Sequence, residues 1–500
     1  MLFNSYEFIF LFLPTVLVGY FIIGSKYHHR LAVSWLVGTS LFYYAWWNPS
    51  YLGLIIFSML FNYSIGITLS SGNKTNKSLL TLGIVTNLLL LGYYKYANFL
   101  LDNVNGITNS AYSIENIILP LAISFFTFQQ IAYLIDSYQK KTREYNFLNY
   151  ALFVTFFPQL IAGPIVHHKE MLSQFASNIT FRPNIRYIEM GLAIFSLGIF
   201  KKVIIADGIS AYSTPLFNAA FNGDSFSTVD AWIGALSYSF QLYFDFSAYS
   251  DMAIGVGLMF GIKLPLNFFS PYKARNIIDF WGRWHMTLSR FLRDYLYIPL
   301  GGNRNGNTKR YRNLMITMLL GGLWHGAGWT FIVWGGLHGI FLIINHGWHH
   351  LRRHFLGHDL NHSSFIGNLV SCCITFLAVT IAWVFFRATD FSSAVSILSI
   401  MFSIDENASY AIQLFASEKN DILIWLLSLS IIVWIAPNVS EWTKYSPYED
   451  TKLPKPAILT SKINALLFKP TVAWSIFSAA IAITAIINLS KASEFLYFQF

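Results

Sequence analysis

Residues 319–339 read LLGGLWHGAGWTFIVWGGLHG, a run of 21 residues that contains no Lys, Arg, Asp or Glu. The run is as long as a membrane-spanning helix, which needs about 20 consecutive apolar residues. Its glycines interrupt the helical pattern, and broken backbone at membrane depth is tolerated only where protein or a water-filled cavity satisfies its polar groups. We therefore predict that 313–345 is a broken element that surrounds a site.

The rest of the chain is similarly poor in charge. Of its 500 residues, 55% are hydrophobic and 11% are charged, whereas a soluble domain usually carries about 25% charged residues. Further apolar runs suited to spanning helices occupy 3–24, 31–47, 51–70, 79–101, 115–136, 187–206, 231–260, 365–386, 421–438 and 471–490. This pattern excludes a soluble enzyme, a disordered protein and a disulfide-bonded secreted scaffold. It predicts an all-α polytopic membrane protein with roughly 10–12 spanning helices.

A second apolar stretch, 147–166, is also broken by Pro and Gly, in the string FFPQLIAGP. Nothing in the composition marks a separate soluble domain. We predict a single membrane-embedded domain over 1–500, with N-terminal spans at 1–136 and C-terminal spans at 365–500. Re-entrant and interfacial helices of a core at 147–345 are expected to surround an intramembrane site.

The basic residues predict the orientation of the chain. The net charge is +9, which is ordinary for a membrane protein because Lys and Arg are retained in cytoplasmic loops. No nucleic-acid-binding motif accompanies this charge, so nucleic acid is not expected as a partner. Segments 102–114 and 207–230 contain no Lys or Arg, whereas ten such residues lie between Lys263 and Arg312. An N-terminus outside the cytoplasm places every basic cluster inside.

Five lysines between Lys444 and Lys469 give a second constraint on the topology. They fall inside only if 313–345 enters the membrane and returns to the same side. We therefore expect Trp324 and His325 at or near the turn of an in-and-out element.

His325 is the first candidate for chemistry. An ionisable side chain at membrane depth is costly and points to function, and the glycines on both sides of His325 allow close backbone approach. Trp324 and Trp329 are placed to wall a pocket. A neutral imidazole is well matched to general-base catalysis near pH 7. The alternative is a histidine that merely packs within a helix bundle.

His285 lies in WGRWHMTLSR, within a pattern that indicates an amphipathic interfacial helix from Asn276 to Leu296. On such a helix Arg283, Arg290 and Arg293 share one broad face. They are candidates for binding the phosphates of an acyl donor by forked hydrogen bonds. The alternative, that these residues hold anionic lipid headgroups, stays open.

The remaining polar residues carry weaker signals. His338 follows His325 by 13 residues, and packing explains it best. Asp245 and Asp251 need partners, for which the basic residues of 273–293 are candidates. The four-residue spacing of His350, His354, His358 and His362 would form a stripe on a helix that could bind a metal. Gly357 interrupts the stripe and Arg352 and Arg353 adjoin it, so an interfacial polar helix is favoured. From the residues alone, acyl transfer and transport both remain possible.

From Ser237 to Gly339 the sequence resembles the membrane-bound O-acyltransferase family, and within it the alginate O-acetyltransferase branch. The matching strings are LYFDFSAYSDMAIG, NFFSPYKARNIIDFWGRWHMTLSRFLRDYLYIPLGGNRNG and LLGGLWHGAGWTFIVWGGLHG. FVTFFPQLIAGPIVHHKEMLSQF, the opening MLFNSYEFIFLFLP and the closing EFLYFQF match as well. Gly282 departs from the pattern, because the branch usually has a second Arg there, and this weakens the assignment of a paired arginine to a donor phosphate.

The resemblance implies an acyltransferase in the bacterial inner membrane, and in that membrane the orientation predicted from the basic residues places the N-terminus in the periplasm. It maps the family's invariant histidine onto His325 and its second histidine onto His285. It implies a cytoplasmic acyl thioester such as acetyl-CoA as donor substrate, and no cofactor or metal is expected to be resident. Trp324 is grouped with the three arginines as a donor-binding candidate.

The partners implied are membrane lipids, a periplasmic or membrane-anchored acetyltransferase, and a polysaccharide acceptor such as alginate, peptidoglycan or cellulose. Two alternatives are carried forward. One is D-alanyl transfer to a teichoic acid-type polymer, and the other is a non-enzymatic transporter for a glycan or a lipid.

Overall fold

The structure is a computed structural model of the chain. It describes all residues except 72–75, 115–116, 143–145, 176, 305, 358–363, 404–414, 416–417, 448–467, 470, 492–494 and 497–500. Every regular element in the described part of the chain is helical. The described part of each apolar run is mainly helical, although in the run 115–136 the helix begins only at Ile123. The prediction of an all-α fold is confirmed.

The helices follow one another with short connections. The first ten are α1 (Leu13–Lys26), α2 (His29–Ala45), α3 (Leu52–Ser71), α4 (Lys77–Leu91), α5 (Ala97–Thr108), α6 (Ile123–Tyr138), α7 (Phe147–Thr155), α8 (Phe157–Leu160), α9 (His168–Phe175) and α10 (Ile185–Phe200). The others are α11 (Asp207–Asn222), α12 (Thr228–Met259), α13 (Ile277–Trp281), α14 (Met286–Leu292), α15 (Asn307–His325), α16 (Trp329–His354), α17 (Phe365–Arg387), α18 (Phe391–Met401), α19 (Lys419–Ile435), α20 (Val439–Thr443) and α21 (Val472–Ile487).

Among the described residues, five continuous helical segments are long and apolar enough to cross a membrane. They are Glu7–Lys26, Pro49–Ser71, Lys77–Thr108, Trp329–His354 and Phe365–Arg387. At about 1.5 Å per residue, each covers the roughly 30 Å of a hydrocarbon core. The chain is therefore a multi-pass membrane protein.

By its contacts the chain forms two compact units. The first comprises 1–200, 248–265 and 470–499, and the second comprises 201–247 and 266–469. In the first unit α21 packs against α10, which joins the end of the chain to its N-terminal half.

Buried amide and hydroxyl groups connect the helices of the first unit. Asn62 on α3 and Asn87 on α4 exchange side-chain hydrogen bonds of 3.2 and 2.6 Å. Gln130 on α6 donates to the Ser58 hydroxyl at 2.9 Å and accepts from the Tyr150 hydroxyl at 3.0 Å. These pairs satisfy polar groups that would otherwise be costly within an apolar bundle.

The second unit contains a tight antiparallel hairpin of α15 and α16. The helices approach closely because glycines face each other: a Cβ at Gly322 would lie 3.1 Å from the Cα of Gly335. A Cβ at Gly335 would overlap the carbonyl oxygen of Met318. As predicted for 313–345, the chain turns back directly after His325, the last residue of α15.

The single amphipathic helix predicted from Asn276 to Leu296 is wrong. The structure has α13, a turn over 282–285, α14 and then a π-helical turn from Arg293 to Tyr297. The break occurs because His285 adopts the left-handed conformation, with φ 42° and ψ 52°, which a continuous helix excludes. Since Arg283 lies in the turn, the prediction that it shares a helical face with Arg290 and Arg293 is wrong as well.

Candidate active site

His325 lies at the tip of the α15–α16 hairpin and is 4% exposed. Its ring centroid is 4.9 Å from Trp324, 5.0 Å from Trp334 and 5.2 Å from Phe386. Trp324 thus lies against His325, as expected, whereas Trp329 is 57% exposed. Trp334 and Phe386 belong to α16 and α17, and the sequence analysis did not identify them.

His285 packs close to His325 although 40 positions separate the two in the sequence. The two ring centroids are 6.4 Å apart, and His285 lies 6.1 Å from Trp324. Phe246 on α12 contacts the His285 ring edge to face at 4.9 Å. The structure therefore brings together both histidines that the sequence analysis selected.

Asn267 and Thr287 form the hydrogen bonds that hold the segment around His285. The Nδ1 atom of His285 lies 3.0 Å from the side-chain oxygen of Asn267, and the Thr287 hydroxyl donates to the same oxygen at 2.9 Å. Complete burial lowers the pKa of His285 to about 3, because the charged imidazolium loses its hydration. His285 is therefore neutral near pH 7.

His338 belongs to the same aromatic cluster. It is fully buried on α16, with ring centroids 4.8 Å from Trp334 and 5.1 Å from Trp281. Trp334 therefore contacts both His325 and His338.

The three arginine candidates lie in different surroundings. Arg283 is buried, donates to the Asp279 carboxylate at 2.7 Å and contacts the Phe269 carbonyl at 3.3 Å. Arg290 is half-buried on α14. Arg293 is mostly exposed and pairs with its neighbour Asp294 at 2.8 Å. The guanidinium of Arg283 is thus engaged inside the protein, and donor binding by the set stays a prediction.

Asp245 forms an ion pair that the sequence analysis did not foresee. Its carboxylate lies 2.7 Å from the Lys202 ammonium, which also contacts Asp207 at 2.8 Å. Lys202 and Asp245 are almost completely buried. The Lys202 partner lies outside the range 273–293, because helix packing brings together residues 43 positions apart.

The histidine series on α16 is only partly described. The rings of His350 and His354 are in contact, with centroids 4.4 Å apart and planes tilted by 44°, whereas His358 and His362 lie outside the described residues. Within the described ranges, no group of three or more His, Cys, Asp or Glu residues is arranged to hold a metal ion.

The site as a whole is suited to proton transfer. The two imidazole centroids lie 6.4 Å apart, so both rings belong to the same part of the site. The aromatic surroundings keep bulk water away, and a positioned neutral imidazole can accept a proton there.

Known proteins are similar in sequence to this chain over most of its length. The model of the family described as MBOAT, membrane-bound O-acyltransferase, matches residues 41–386, which include both histidines. A peptidoglycan O-acetyltransferase of Helicobacter pylori is 49% identical over 429 residues, 80% of each chain. A probable alginate O-acetylase AlgI of Pseudomonas putida is 43% identical over 411 residues, 81% of this chain and 80% of that protein.

A more distant relative is a teichoic acid D-alanyltransferase of Streptococcus thermophilus. It is 31% identical over 236 residues, which make up 46% of this chain and 57% of that protein. The family model matches more than half of the chain, and the two acetyltransferase relatives match about four-fifths of it. The chain therefore belongs to the membrane-bound O-acyltransferase family and is an acyltransferase.

Proposed function

We propose that this protein moves an acetyl group from a cytoplasmic thioester across the inner membrane for O-acetylation of an extracytoplasmic polysaccharide, with His325 as the general base. The observation that carries the proposal is the burial of His325 at the tip of the α15–α16 hairpin, 6.4 Å from His285. The acetyltransferase relatives match about four-fifths of the chain and support acetyl as the group transferred.

The chemistry assigns one proton transfer to His325. The oxygen of an acceptor hydroxyl bonds to the thioester carbonyl carbon as His325 takes the hydroxyl proton. The tetrahedral intermediate then expels the thiolate, which receives that proton, so that an ester and a free thiol result. A positioned base typically contributes about 10²- to 10⁴-fold to the rate.

The aromatic residues around His325 also protect the thioester from hydrolysis. Trp324, Trp334 and Phe386 surround the imidazole at 4.9–5.2 Å. Such packing excludes water, which would otherwise hydrolyse the activated acyl group.

The donor is proposed to approach from the basic, cytoplasmic face. Lys and Arg are concentrated between Lys263 and Arg312, and this bias supports a periplasmic N-terminus. Of the arginine candidates, Arg290 and Arg293 fit donor binding better than Arg283, whose guanidinium is engaged by Asp279.

The acceptor is proposed to be a cell-envelope polysaccharide, reached directly or through a periplasmic or membrane-anchored acetyltransferase partner. Peptidoglycan is favoured over alginate because the peptidoglycan O-acetyltransferase relative is 49% identical and the alginate relative 43%. D-alanyl transfer is the second candidate, supported by a 31% identical relative that matches 46% of the chain.

Inverted inner-membrane vesicles test donor, direction and product together. Labelled acetyl-CoA added to the exposed cytoplasmic face should yield labelled acetyl esters on lumenal polymer, and His325→Ala should abolish them. His350→Ala changes an exposed histidine on α16 and serves as the control, with unchanged labelling expected. Transfer of D-alanine instead of acetyl would favour the second candidate, whereas polymer flux preserved in His325→Ala would favour a transporter.

A further inference from the structure

The segment from Asn267 to Phe269 is hydrogen-bonded to the backbone on both sides of His285. Asn267 lies in the non-helical segment after α12 and is 1% exposed. Its carbonyl accepts the N–H of Met286 at 2.9 Å, and the N–H of Phe269 donates to the carbonyl of Arg283 at 2.9 Å. The segment 267–269 therefore runs beside 283–286, and these two hydrogen bonds fix the position of Asn267 relative to His285.

The contacts of Asn267 determine which way its amide points. Its side-chain oxygen faces the backbone N–H of Thr287 at 3.4 Å as well as the Thr287 hydroxyl at 2.9 Å. A backbone N–H can only donate, so the atom that receives it must be the oxygen and not the amide nitrogen.

The same oxygen decides the tautomer of His285. It lies 3.0 Å from Nδ1, and an amide oxygen only accepts, so Nδ1 must carry the proton. In a neutral imidazole the second nitrogen, Nε2, is then a hydrogen-bond acceptor. The left-handed backbone of His285, with φ 42°, keeps the ring in this place.

We infer that Asn267 is a positioning residue that fixes the Nδ1–H tautomer of His285 and thereby presents Nε2 to the reaction as an acceptor. Its kinetic consequence rests on the proposed function, whereas the tautomer itself does not. With Nε2 as acceptor, His285 and His325 share the single O–H proton of the acceptor hydroxyl in a bifurcated hydrogen bond that orients it, and His325 takes that proton as the oxygen attacks. A protonated Nε2 would instead compete as a donor for the same oxygen.

Two substitutions separate this role from a structural one. Asn267→Leu removes the oxygen, frees both tautomers and should lower kcat by about 10- to 100-fold, the usual effect of losing such a supporting contact. Asn267→Asp keeps an acceptor at that place and should retain transfer.

Asn345→Ala is the matched control, because the side-chain amide of Asn345 donates to the Asn276 side-chain oxygen at 3.5 Å. It should leave kcat unchanged. If Asn267→Leu folded and kept the wild-type kcat, or if a folded Asn267→Asp lost transfer as fully as Asn267→Leu, Asn267 would not position His285.

A spectroscopic measurement determines the tautomer of His285 without any measurement of enzymatic activity. Solid-state NMR of ¹⁵N-histidine-labelled protein in lipid, with His285 assigned by its loss in His285→Gln, should show Nδ1 protonated and Nε2 unprotonated at neutral pH. A protonated Nε2 would overturn the inference. If His325→Ala retained acyl transfer, the proposed function would fail while this spectrum still tested Asn267.

Discussion

At the scale of single residues, His285 is held in a conformation that side chains rarely adopt. Its φ of 42° places it in the left-handed region, where a residue with a Cβ is roughly 1–2 kcal/mol less stable than in the right-handed region. Hydrogen bonds around Asn267 on the neighbouring segment keep this geometry. Strain of this kind is often found where a side chain must be aimed.

This strain predicts an unusual order of stability for two variants that both lack the imidazole. His285→Gly should be about 1 kcal/mol more stable than His285→Ala, because glycine adopts a positive φ without steric cost. In an ordinary helix the order is reversed. Denaturant unfolding in detergent measures the difference, and an alanine variant as stable as the glycine variant would show that the left-handed backbone carries no cost.

Arg290 supports a second prediction at this scale. If Arg290 binds donor phosphate by charge-assisted hydrogen bonds of about 1.5–3 kcal/mol, Arg290→Ala should raise the apparent KM for acetyl-CoA at least tenfold at fixed lipid composition. Exposed Arg304 provides the control. Weaker insertion or stability of Arg290→Ala with an unchanged KM would assign this arginine to lipid binding.

At the scale of elements, the α15–α16 hairpin depends on its facing glycines. Gly335 allows the helices to approach because its missing side chain makes room for the Met318 carbonyl. The close approach of the helices bears on the site because His325 follows three residues after Gly322 on α15.

Gly335→Ala should therefore separate the two helices and lower the free energy of unfolding by about 1–3 kcal/mol, as overpacking generally does. Transfer should fall with it. Gly347 on the same helix has open space around it, so Gly347→Ala should be neutral or stabilise by roughly 0.5–1 kcal/mol. Equal thermal stability of the two variants would contradict close packing at Gly335.

The helical hairpin could be predicted from the sequence, whereas the break near His285 could not. The glycines and the positions of the lysines were enough to predict the hairpin, because both can be read directly along the chain. The break within 276–296 was missed because it arises from hydrogen bonds to Asn267, which lies outside that window. His325 and His285 could be predicted because their neighbours in the sequence are unusual. Asn267, Trp334 and the Lys202 partner of Asp245 could not, because their contacts are with residues distant in the sequence.

At the scale of the whole molecule, the distribution of basic residues predicts its orientation. A tag at about Asn305 should be cytoplasmic, and one at about Asn222, which ends α11, should be periplasmic. With Cys372 and Cys373 replaced, a cysteine near Lys455 should resist a membrane-impermeant thiol reagent added to intact cells. Asn305 and Lys455 lie outside the described residues, so labelling tests them independently. Rapid labelling near Lys455 would mean that 313–345 crosses the membrane once.

The most direct test of general-base catalysis by His325 is the single-turnover rate of acyl transfer in purified, lipid-reconstituted protein saturated with acetyl-CoA. His325→Gln keeps a polar side chain of similar size but cannot serve as the base. It should reduce this rate by about 10²- to 10⁴-fold, while insertion and thermal stability stay close to the wild type and His350→Gln keeps the full rate. A properly inserted His325→Gln protein that transfers acetyl within a few-fold of the wild-type rate would contradict the assignment of His325 as the base.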